Sequence, residues 1–341
     1  MQRRTTALAV FLGLAMLFGS SVVHAQYQVT NLVSNQVKEG SNPPDPFLVN
    51  AWGLTYGPGG PFWISDNGSG WSTLYDANGS KVPLNVFIPA ASGNGPGSPT
   101  GIAFNNPGDG EFQVQDWPSI FLFATLDGTI SGWAPQSNPN AAIIAVTTPG
   151  AVYTGLAITS KPSGNFLFAA DNANNKVDIY DGNFHLVKSF TDTTLPAGFA
   201  PFGIQDFGGL VYVAFAGNAG APGGFIDIYS EDGTLLKQLA SGAPLNQPWG
   251  FAVAPKNFGA FSDTLLVSNN TGTGSINAFN AVTGQFVGTL RDTNNKVIEI
   301  NQLWGIKFGG GNSADGATNQ LFFTAGPNNN KSGIFGVIAL P

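Results

Sequence analysis

The chain is patterned as short apolar or alternating runs rather than as long amphipathic stretches. From residue 26 onward, runs of four or five such residues recur between clusters of Gly, Asn, Asp and Pro. Runs of this length, bounded by turn residues, predict β-strands, because an amphipathic helix needs ten or more residues with apolar positions at helical spacing. The pattern therefore predicts an all-β chain.

One unit, a glycine followed by a short aliphatic strand, recurs six times. Its glycines are spaced 48, 54, 48, 47 and 55 residues apart and are Gly53, Gly101, Gly155, Gly203, Gly250 and Gly305. In each repeat a second strand follows at the same relative place, and further strands come after loops rich in Gly, Asn and Asp. Four short strands in roughly 50 residues, repeated six times, predict a six-bladed β-propeller with four-stranded blades.

The two ends of this repeat complement each other. The last repeat supplies three strands, and residues 27–33 alternate as an outer strand should. We expect this N-terminal strand to close the ring, because the pairing removes a free sheet edge. One domain would then span residues 26–341. The repeated glycines are expected to allow close backbone approach around the axis, and the aromatic residues to pack between blades.

Residues 1–25 have the pattern of a secretory signal peptide. Arg3 and Arg4 precede an apolar stretch over residues 7–18, and Ala25 offers a small residue for cleavage before Gln26. We expect the mature protein in the periplasm or outside the cell. No later segment is long and apolar enough to predict a membrane span.

Composition narrows the possible chemistry. Without Arg3 and Arg4, the mature chain has 11 basic against 20 acidic residues, which disfavours nucleic acid as a partner. The chain has no Cys, and His185 is the single imidazole left after residue 25. Thiolate zinc sites, His-rich copper or iron sites and a Cys nucleophile are thereby excluded. We expect a monomer.

Several longer motifs carry a resemblance to a known family. They are Asn50-Ala51-Trp52-Gly53-Leu54, Ser65-Asp66-Asn67-Gly68, Asp127-Gly128-Thr129-Ile130, Pro248-Trp249-Gly250 and Thr324-Ala325-Gly326-Pro327. They resemble an uncharacterised family of secreted bacterial and fungal proteins, which is similar to NHL-type six-bladed propellers. The resemblance implies the propeller fold and export from the cell, but it implies no reaction.

Candidate site residues lie in the loops expected at one mouth of the central channel. These loops enter the innermost strand or join the second and third strands, and their polar members include Asn50, Asp66, Asn67, Asp127, Asp171, Asn172, Asn218, Asn269 and Gln302. A ring of carboxylate and amide oxygens suits a hard cation such as Ca²⁺. Asn and Asp before Gly are also typical of tight turns, so turn chemistry is the alternative for each of them.

Two functions remain open from the sequence. The first is a binding protein that recognises a small molecule, a glycan or a protein at this Asn/Asp-rich face. The second rests on a resemblance in fold to secreted lactonases, which implies a Ca²⁺-dependent hydrolase. Asp66, Asp127 and Asp171 would then be metal ligands, and Asp66 or Asp171 the catalytic candidates. The lactonase pattern also expects an early-blade Glu, which this chain lacks at the matching loops.

Overall fold

The computed structural model describes residues 26–160 and 164–341. The predicted signal peptide, residues 1–25, lies outside the described residues. The described chain folds as six four-stranded antiparallel blades, which confirms the predicted six-bladed β-propeller. Within blades 1 to 5 the strands pair in chain order from the axis outward, because each strand is joined to its antiparallel neighbour by a turn or loop.

The first three blades each come from one continuous stretch of chain. Blade 1 consists of Ala51–Thr55, Phe62–Asp66, Trp71–Tyr75 and Lys81–Phe87. Blade 2 consists of Pro99–Phe104, Phe121–Thr125, Thr129–Trp133 and Ile143–Thr147. Blade 3 consists of Tyr153–Thr159, Phe166–Asp171, Lys176–Asp181 and Leu186–Phe190. The second and third strands are almost wholly buried, since both of their faces pack against neighbouring blades.

Blades 4 and 5 follow the same plan, and blade 6 closes the ring. Blade 4 consists of Phe199–Phe207, Leu210–Gly217, Gly224–Ser230 and Leu235–Ser241. Blade 5 consists of Pro248–Val253, Thr264–Asn269, Ile276–Asn280 and Phe286–Thr289. Blade 6 consists of Leu303–Phe308, Leu321–Ala325, Ile334–Ala339 and, as its fourth strand, Gln26–Ser34.

The closing strand pairs on both of its edges. Gln26–Ser34 runs antiparallel to Ile334–Ala339, with Gln28 opposite Ala339 and Ser34 opposite Ile334. Its first two residues also pair in parallel with the two-residue strand Arg291–Asp292. The predicted closure of the ring by the N-terminal strand is therefore confirmed.

The remaining elements are short. They are the 3₁₀ turns Pro107–Asp109, Asn218–Gly220 and Gly259–Phe261, the small hairpin of Gln113–Val114 with Trp117–Pro118, and the one-turn segment Pro327–Asn330. None of the helices in the described part of the chain is long and apolar enough to cross a bilayer.

Separate hydrophobic clusters lie between neighbouring blades. Between blades 6 and 1, for example, Phe62 packs on Phe322 with ring centroids 4.3 Å apart, and Phe335 lies 5.3 Å from Phe62. Between blades 1 and 2, Trp63 stacks on Phe121 at 4.1 Å. Most aromatic residues of the second and third strands therefore pack between blades, as the sequence predicts.

The repeated glycines allow the innermost strands to meet around the axis. A Cβ atom on Gly203 would lie 1.8 Å from the carbonyl oxygen of Trp249 in the next blade. A Cβ on Gly53 would lie 2.4 Å from the carbonyl oxygen of Thr100, also in the next blade. Both separations are far shorter than van der Waals contact, so a side chain at either position would push adjacent blades apart.

Candidate functional site

One backbone hydrogen bond repeats in all six blades at the face where the innermost strands begin, which we call the top face. The residue after the second strand donates its N–H to the carbonyl of the residue before the innermost strand. The six pairs are Asn67 to Asn50, Leu126 to Ser98, Asn172 to Val152, Asn218 to Gly198, Asn270 to Gln247 and Gly326 to Gln302. The two sets of loops predicted to form the channel mouth therefore do meet there.

Asparagine side chains add a second ring of contacts, which joins neighbouring blades. Asn67 Nδ2 donates to the Pro99 carbonyl at 3.2 Å, and Asn172 Nδ2 donates to the Pro201 carbonyl at 3.0 Å. Asn270 makes the equivalent bond to Leu303 at 3.1 Å. Each acceptor lies at the start of the next blade's innermost strand. Two predicted ligand residues, Asn67 and Asn172, thus clasp adjacent blades together.

An aromatic cluster fills the channel below this mouth. Trp52, Phe202, Trp249 and Trp304 each occupy the position just before a repeated glycine. Trp52 stacks on Trp304 with centroids 3.7 Å apart, and Trp249 meets Trp304 edge-on at 5.8 Å. Because indole and phenyl rings from four blades converge on the axis, the top of the channel is plugged by side chains.

Two of the three indole N–H groups in this aromatic plug are bonded. Trp249 Nε1 donates to the Thr154 carbonyl at 3.0 Å, and Trp304 Nε1 donates to Asn50 Oδ1 at 3.1 Å. Trp52 Nε1 is buried and has no acceptor among the described residues. Asn50, a predicted site residue, also donates to Asn67 Oδ1 at 3.0 Å, so it links the plug to the asparagine clasps.

Asp66 lies at the end of the second strand of blade 1 and is fully buried. Neither carboxyl oxygen has a hydrogen-bond partner within the described chain. Burial raises the pKa of Asp66 well above its usual range, and the nearby Thr73 hydroxyl and Lys81 ammonium offset only part of this effect. An isolated buried carboxyl of this kind favours its neutral form unless a cation joins it.

Asp171 occupies the equivalent position in blade 3 but has different contacts. Its Oδ1 accepts from the Val152 N–H at 3.1 Å and from the Asn174 N–H at 3.3 Å, and Asn174 Nδ2 donates to Oδ2 at 2.7 Å. Asp171 is fully buried, and these bonds hold the loop that follows it. The contacts of the Asp171 carboxylate are therefore those of a turn-forming residue, the alternative to a metal-ligand role.

Asp127, Asn269 and Gln302 also bond to loop backbone. Asp127 is exposed and accepts from the Ala91 N–H at 2.6 Å. Asn269 is buried, donates to the Pro244 carbonyl at 2.8 Å and accepts from the Asn246 N–H at 3.1 Å. Gln302, at a positive φ of 53°, receives the Gly326 bond through its carbonyl.

The three aspartates predicted as metal ligands are not brought together. Asp66, Asp127 and Asp171 belong to the blade 1, 2 and 3 loops and have the separate surroundings given above. Across residues 26–160 and 164–341, no group of three or more His, Cys, Asp or Glu side chains is placed to hold a metal ion. His185 lies in the turn before Leu186–Phe190, with 77% of its side chain exposed.

Two aspartates that sequence reasoning passed over hold top-face loops in place. Tyr75, on a third strand, donates its hydroxyl to Asp45 Oδ2 at 2.6 Å, and Lys81 pairs with the same oxygen. Tyr229 donates in the same way to Asp192 in the loop before blade 4. Although burial acts to raise it, these hydrogen bonds hold the pKa of Asp45 below its usual range. The Tyr that recurs in the third strands is the sequence feature that could have indicated these buried aspartates.

An open cleft lies beside the plug on the top face, and we call it the top-face cleft. Its volume is about 390 Å³, and its lining includes Asn172, Phe202, Asn218, Ala219 and Gln247 from blades 3 to 5. Phe202 belongs to the plug and is half-buried. Asn218 is exposed, and its side chain makes no hydrogen bond to the described residues. The cleft lining contains no charged residue.

Proteins of similar sequence come from a giant virus. The chain is 29% identical to uncharacterized protein R648 of Acanthamoeba polyphaga mimivirus over 346 residues, covering 94% of this chain and 82% of the viral protein. It is also 29% identical to uncharacterized protein L690 of the same virus, covering 80% and 76%. No protein-family model matches the chain. Relatives without a described activity agree with the resemblance drawn from the motifs.

Solved structures of similar fold are distant in sequence. A streptogramin B lyase superposes with a TM-score of 0.55 at 15% identity, covering 92% of this chain and 97% of the lyase. Virginiamycin B lyase from Staphylococcus aureus gives a TM-score of 0.52 at 14% identity, covering 93% and 99%. At this level of identity the likeness establishes the fold and nothing about the reaction. The chain is a six-bladed β-propeller of the architecture that these lyases share.

Proposed function

We propose that the protein is a secreted binding protein that recognises a neutral glycan in the top-face cleft. The observation that carries the proposal is the lining of that cleft. It combines a half-buried aromatic ring, Phe202, with three side-chain amides, those of Asn172, Asn218 and Gln247, and with no charge.

This lining suits a sugar ring better than other small ligands. A sugar offers an apolar face of C–H groups, which can lie on an aromatic ring, and a rim of hydroxyls, which need both donors and acceptors. Amide side chains supply both kinds of group without charge. The clasps fix Asn172 through its Nδ2 bond to Pro201, and Gln247 donates to the Gly217 and Ala221 carbonyls at 2.9 and 2.8 Å. Two of the three amides are therefore already oriented.

The hydrolase alternative receives less support. A metal-assisted hydrolase needs several oxygen ligands around one ion, whereas the predicted ligands Asp66, Asp127 and Asp171 have separate surroundings. Asp66 is closed off in the protein interior. Binding of a glycan in the top-face cleft requires none of these carboxylates to be accessible.

Calorimetric titration with the soluble hexasaccharides of cellulose, laminarin and chitin tests the proposal. At least one should bind, and Asn218→Ala should weaken its binding about fivefold, the effect of one lost hydrogen bond of about 1 kcal/mol. Asn94→Ala, on an exposed top-face loop outside the cleft, is the matched control and should bind like the wild type. Absence of binding by all three sugars, or binding that Asn218→Ala and Phe202→Leu leave unchanged, would overturn the assignment.

A further inference from the structure

The opposite end of the channel holds a second chamber, which we call the bottom vestibule. It lies where the innermost strands end, has a volume of about 280 Å³, and is lined by Tyr56, Gln205, Phe207, Phe251, Lys307 and Phe308 among others. Blades 1, 4, 5 and 6 contribute to it. Its walls are mainly apolar, with four aromatic rings, in contrast to the amide-lined top-face cleft.

A constriction separates this vestibule from the aromatic plug. The space between them, lined by four of the repeated glycines and by Trp249, has a volume of about 30 Å³. A single water molecule needs roughly 10–15 Å³ of such space, so the constriction has room for water but not for a larger ligand. The bottom vestibule and the top-face cleft are therefore separate chambers.

Lys307 is the charged residue of the vestibule lining. Its ammonium lies 4.9 Å from the centroid of the Tyr56 ring, and it makes no ion pair with any residue in the described ranges. Burial lowers the pKa of Lys307, which is the expected response of an ammonium partly removed from water without a counter-ion. The contact with Tyr56 is attractive but replaces only part of the lost hydration.

Two acidic residues beside the vestibule lining, Asp206 and Asp315, are bonded to other groups. Asp206, beside Gln205, accepts from the Gly209 N–H at 2.9 Å. Asp315 accepts from the Gly310 N–H at 3.0 Å and from Asn312 Nδ2 at 2.7 Å. The Tyr56 hydroxyl donates to the Phe308 carbonyl at 2.9 Å, so it is also occupied. The vestibule thus presents a positive charge, a glutamine and aromatic walls.

We propose that the bottom vestibule binds a small aromatic carboxylate, whose carboxylate pairs with Lys307 and whose rings pack against Tyr56, Phe207 and Phe251. An anion supplies the counter-charge that the protein itself does not provide, and pairing in a partly desolvated site is stronger than on the surface. Pockets that bind drug-sized ligands have volumes of about 300–1,000 Å³. The vestibule volume of about 280 Å³ therefore suits one or two fused rings. This site is independent of the proposed glycan site.

Binding of 2-naphthoate, measured by calorimetry on the mature protein, tests the proposal, with neutral 2-naphthamide as the matched ligand. We expect 2-naphthoate to bind at least about tenfold more tightly than the amide, the effect of one charge-assisted contact. The affinity for 2-naphthoate should fall as the pH is raised from 7 to 10, because a neutral lysine cannot pair with the carboxylate. Binding at the higher pH should also take up protons, seen as a buffer-dependent enthalpy.

Two lysine variants complete the design. Lys307→Met keeps the length of the side chain and should weaken 2-naphthoate about tenfold, to the level of the amide, without lowering the melting temperature, because an unpaired charge is removed. Lys331→Met, at an exposed top-face lysine, should leave binding unchanged. Equal affinity for the two ligands, no binding of 2-naphthoate, or wild-type affinity in Lys307→Met would overturn the proposal. Failure here leaves the glycan proposal standing, since the two sites are tested with different ligands.

Discussion

Replacing Asp66 by Asn should stabilise the protein increasingly as the pH rises. The wild-type carboxyl is buried without a partner and its pKa is raised well above the usual value of 3.8. In the unfolded chain the same group is ionised at pH 7, so the raised pKa in the folded state makes folding take up protons. Each pH unit above 3.8 over which the folded carboxyl stays protonated costs about 1.4 kcal/mol of stability.

The sign follows from the direction of the shift. A group whose pKa is higher in the folded protein contributes its full stability below the unfolded value, and that stability is lost as the pH rises toward the folded value. The amide introduced by Asp66→Asn does not titrate, so the variant should match the wild type near pH 4 apart from a constant offset. The two buried N–H donors of the amide set this offset, at about 1–3 kcal/mol.

The diagnostic quantity is therefore the change in the variant's relative stability between pH 4 and pH 7. Thermal unfolding measures it, and each ~1.4 kcal/mol corresponds to about 2 °C in Tm for a domain of about 300 residues. Asp171→Asn is the matched change in blade 3; it weakens the bonds to Val152 and Asn174 and should destabilise the protein at pH 7. A difference between wild type and Asp66→Asn that stays constant from pH 4 to 7 would refute the reasoning.

The same pair of proteins also tests the predicted calcium site. If Asp66 binds Ca²⁺, millimolar CaCl₂ should raise the Tm of the wild type and leave Asp66→Asn unchanged, because an ion that binds the folded state stabilises it by mass action. Without a cation at Asp66, calcium should shift neither protein. The outcome separates a neutral buried acid from a metal ligand.

Two further predictions concern the axis and blade 4. Gly203→Ala should lower the free energy of unfolding by at least about 3 kcal/mol in chemical denaturation, because its Cβ would lie 1.8 Å from the Trp249 carbonyl oxygen. Gly155→Ala, whose Cβ would have its nearest atoms at 3.1 Å, should lower it by about 1 kcal/mol. Equal losses would contradict this account. Burial and the neighbouring Asp192 raise the pKa of Asp227 to about 8. The stability of the wild type relative to Asp227→Asn, measured by urea unfolding, should therefore fall from about pH 4 to about pH 8 and then level off. A constant difference over that range would show that Asp227 is ionised in the folded protein.

The blade number, the strand order and the ring closure could be predicted because they depend on spacing. Six glycines at intervals of about 50 residues fix the repeat, and an unpaired alternating segment at the N-terminus supplies the missing strand. The physical reason for the repeated glycines is also confirmed, because the backbone of the next blade approaches Gly53 and Gly203 too closely for a side chain. Such local patterns recur along the sequence because each blade packs against its neighbours in the same way.

The surroundings of the candidate carboxylates could not be predicted in this way. Asp66 and Asp171 end equivalent strands in the same register, opposite Trp71 and Lys176. Three residues later, Asn174 turns back to Asp171, whereas Ser69 donates to the distant Phe47 carbonyl at 2.6 Å. Ser69 is thus bonded to a loop from another part of the chain instead of to Asp66. Strands in equivalent register therefore give one bonded and one isolated carboxyl.

The aromatic plug has a pattern in the sequence, but the pattern can be interpreted only with the geometry of the ring. Four of the six residues before the repeated glycines are aromatic, namely Trp52, Phe202, Trp249 and Trp304. In a single blade each resembles an ordinary core residue. Their contact on the axis can be predicted only when the six innermost strands are placed around one channel. In that arrangement the ring centroid of Trp52 lies 3.7 Å from that of Trp304 and 6.2 Å from that of Trp249.

The way blade 6 is closed also determines how the ring responds to mechanical force. Gln26–Ser34 and Ile334–Ala339 are antiparallel, with Gln28 opposite Ala339, so the start of one strand and the end of the other lie side by side. A force that pulls residue 26 away from residue 339 therefore loads the hydrogen bonds one at a time, like a zipper, instead of shearing all of them together. Tension applied at this seam would therefore peel the fourth strand off blade 6 pair by pair, while the packing of Phe322 on Phe62 still joins blades 6 and 1.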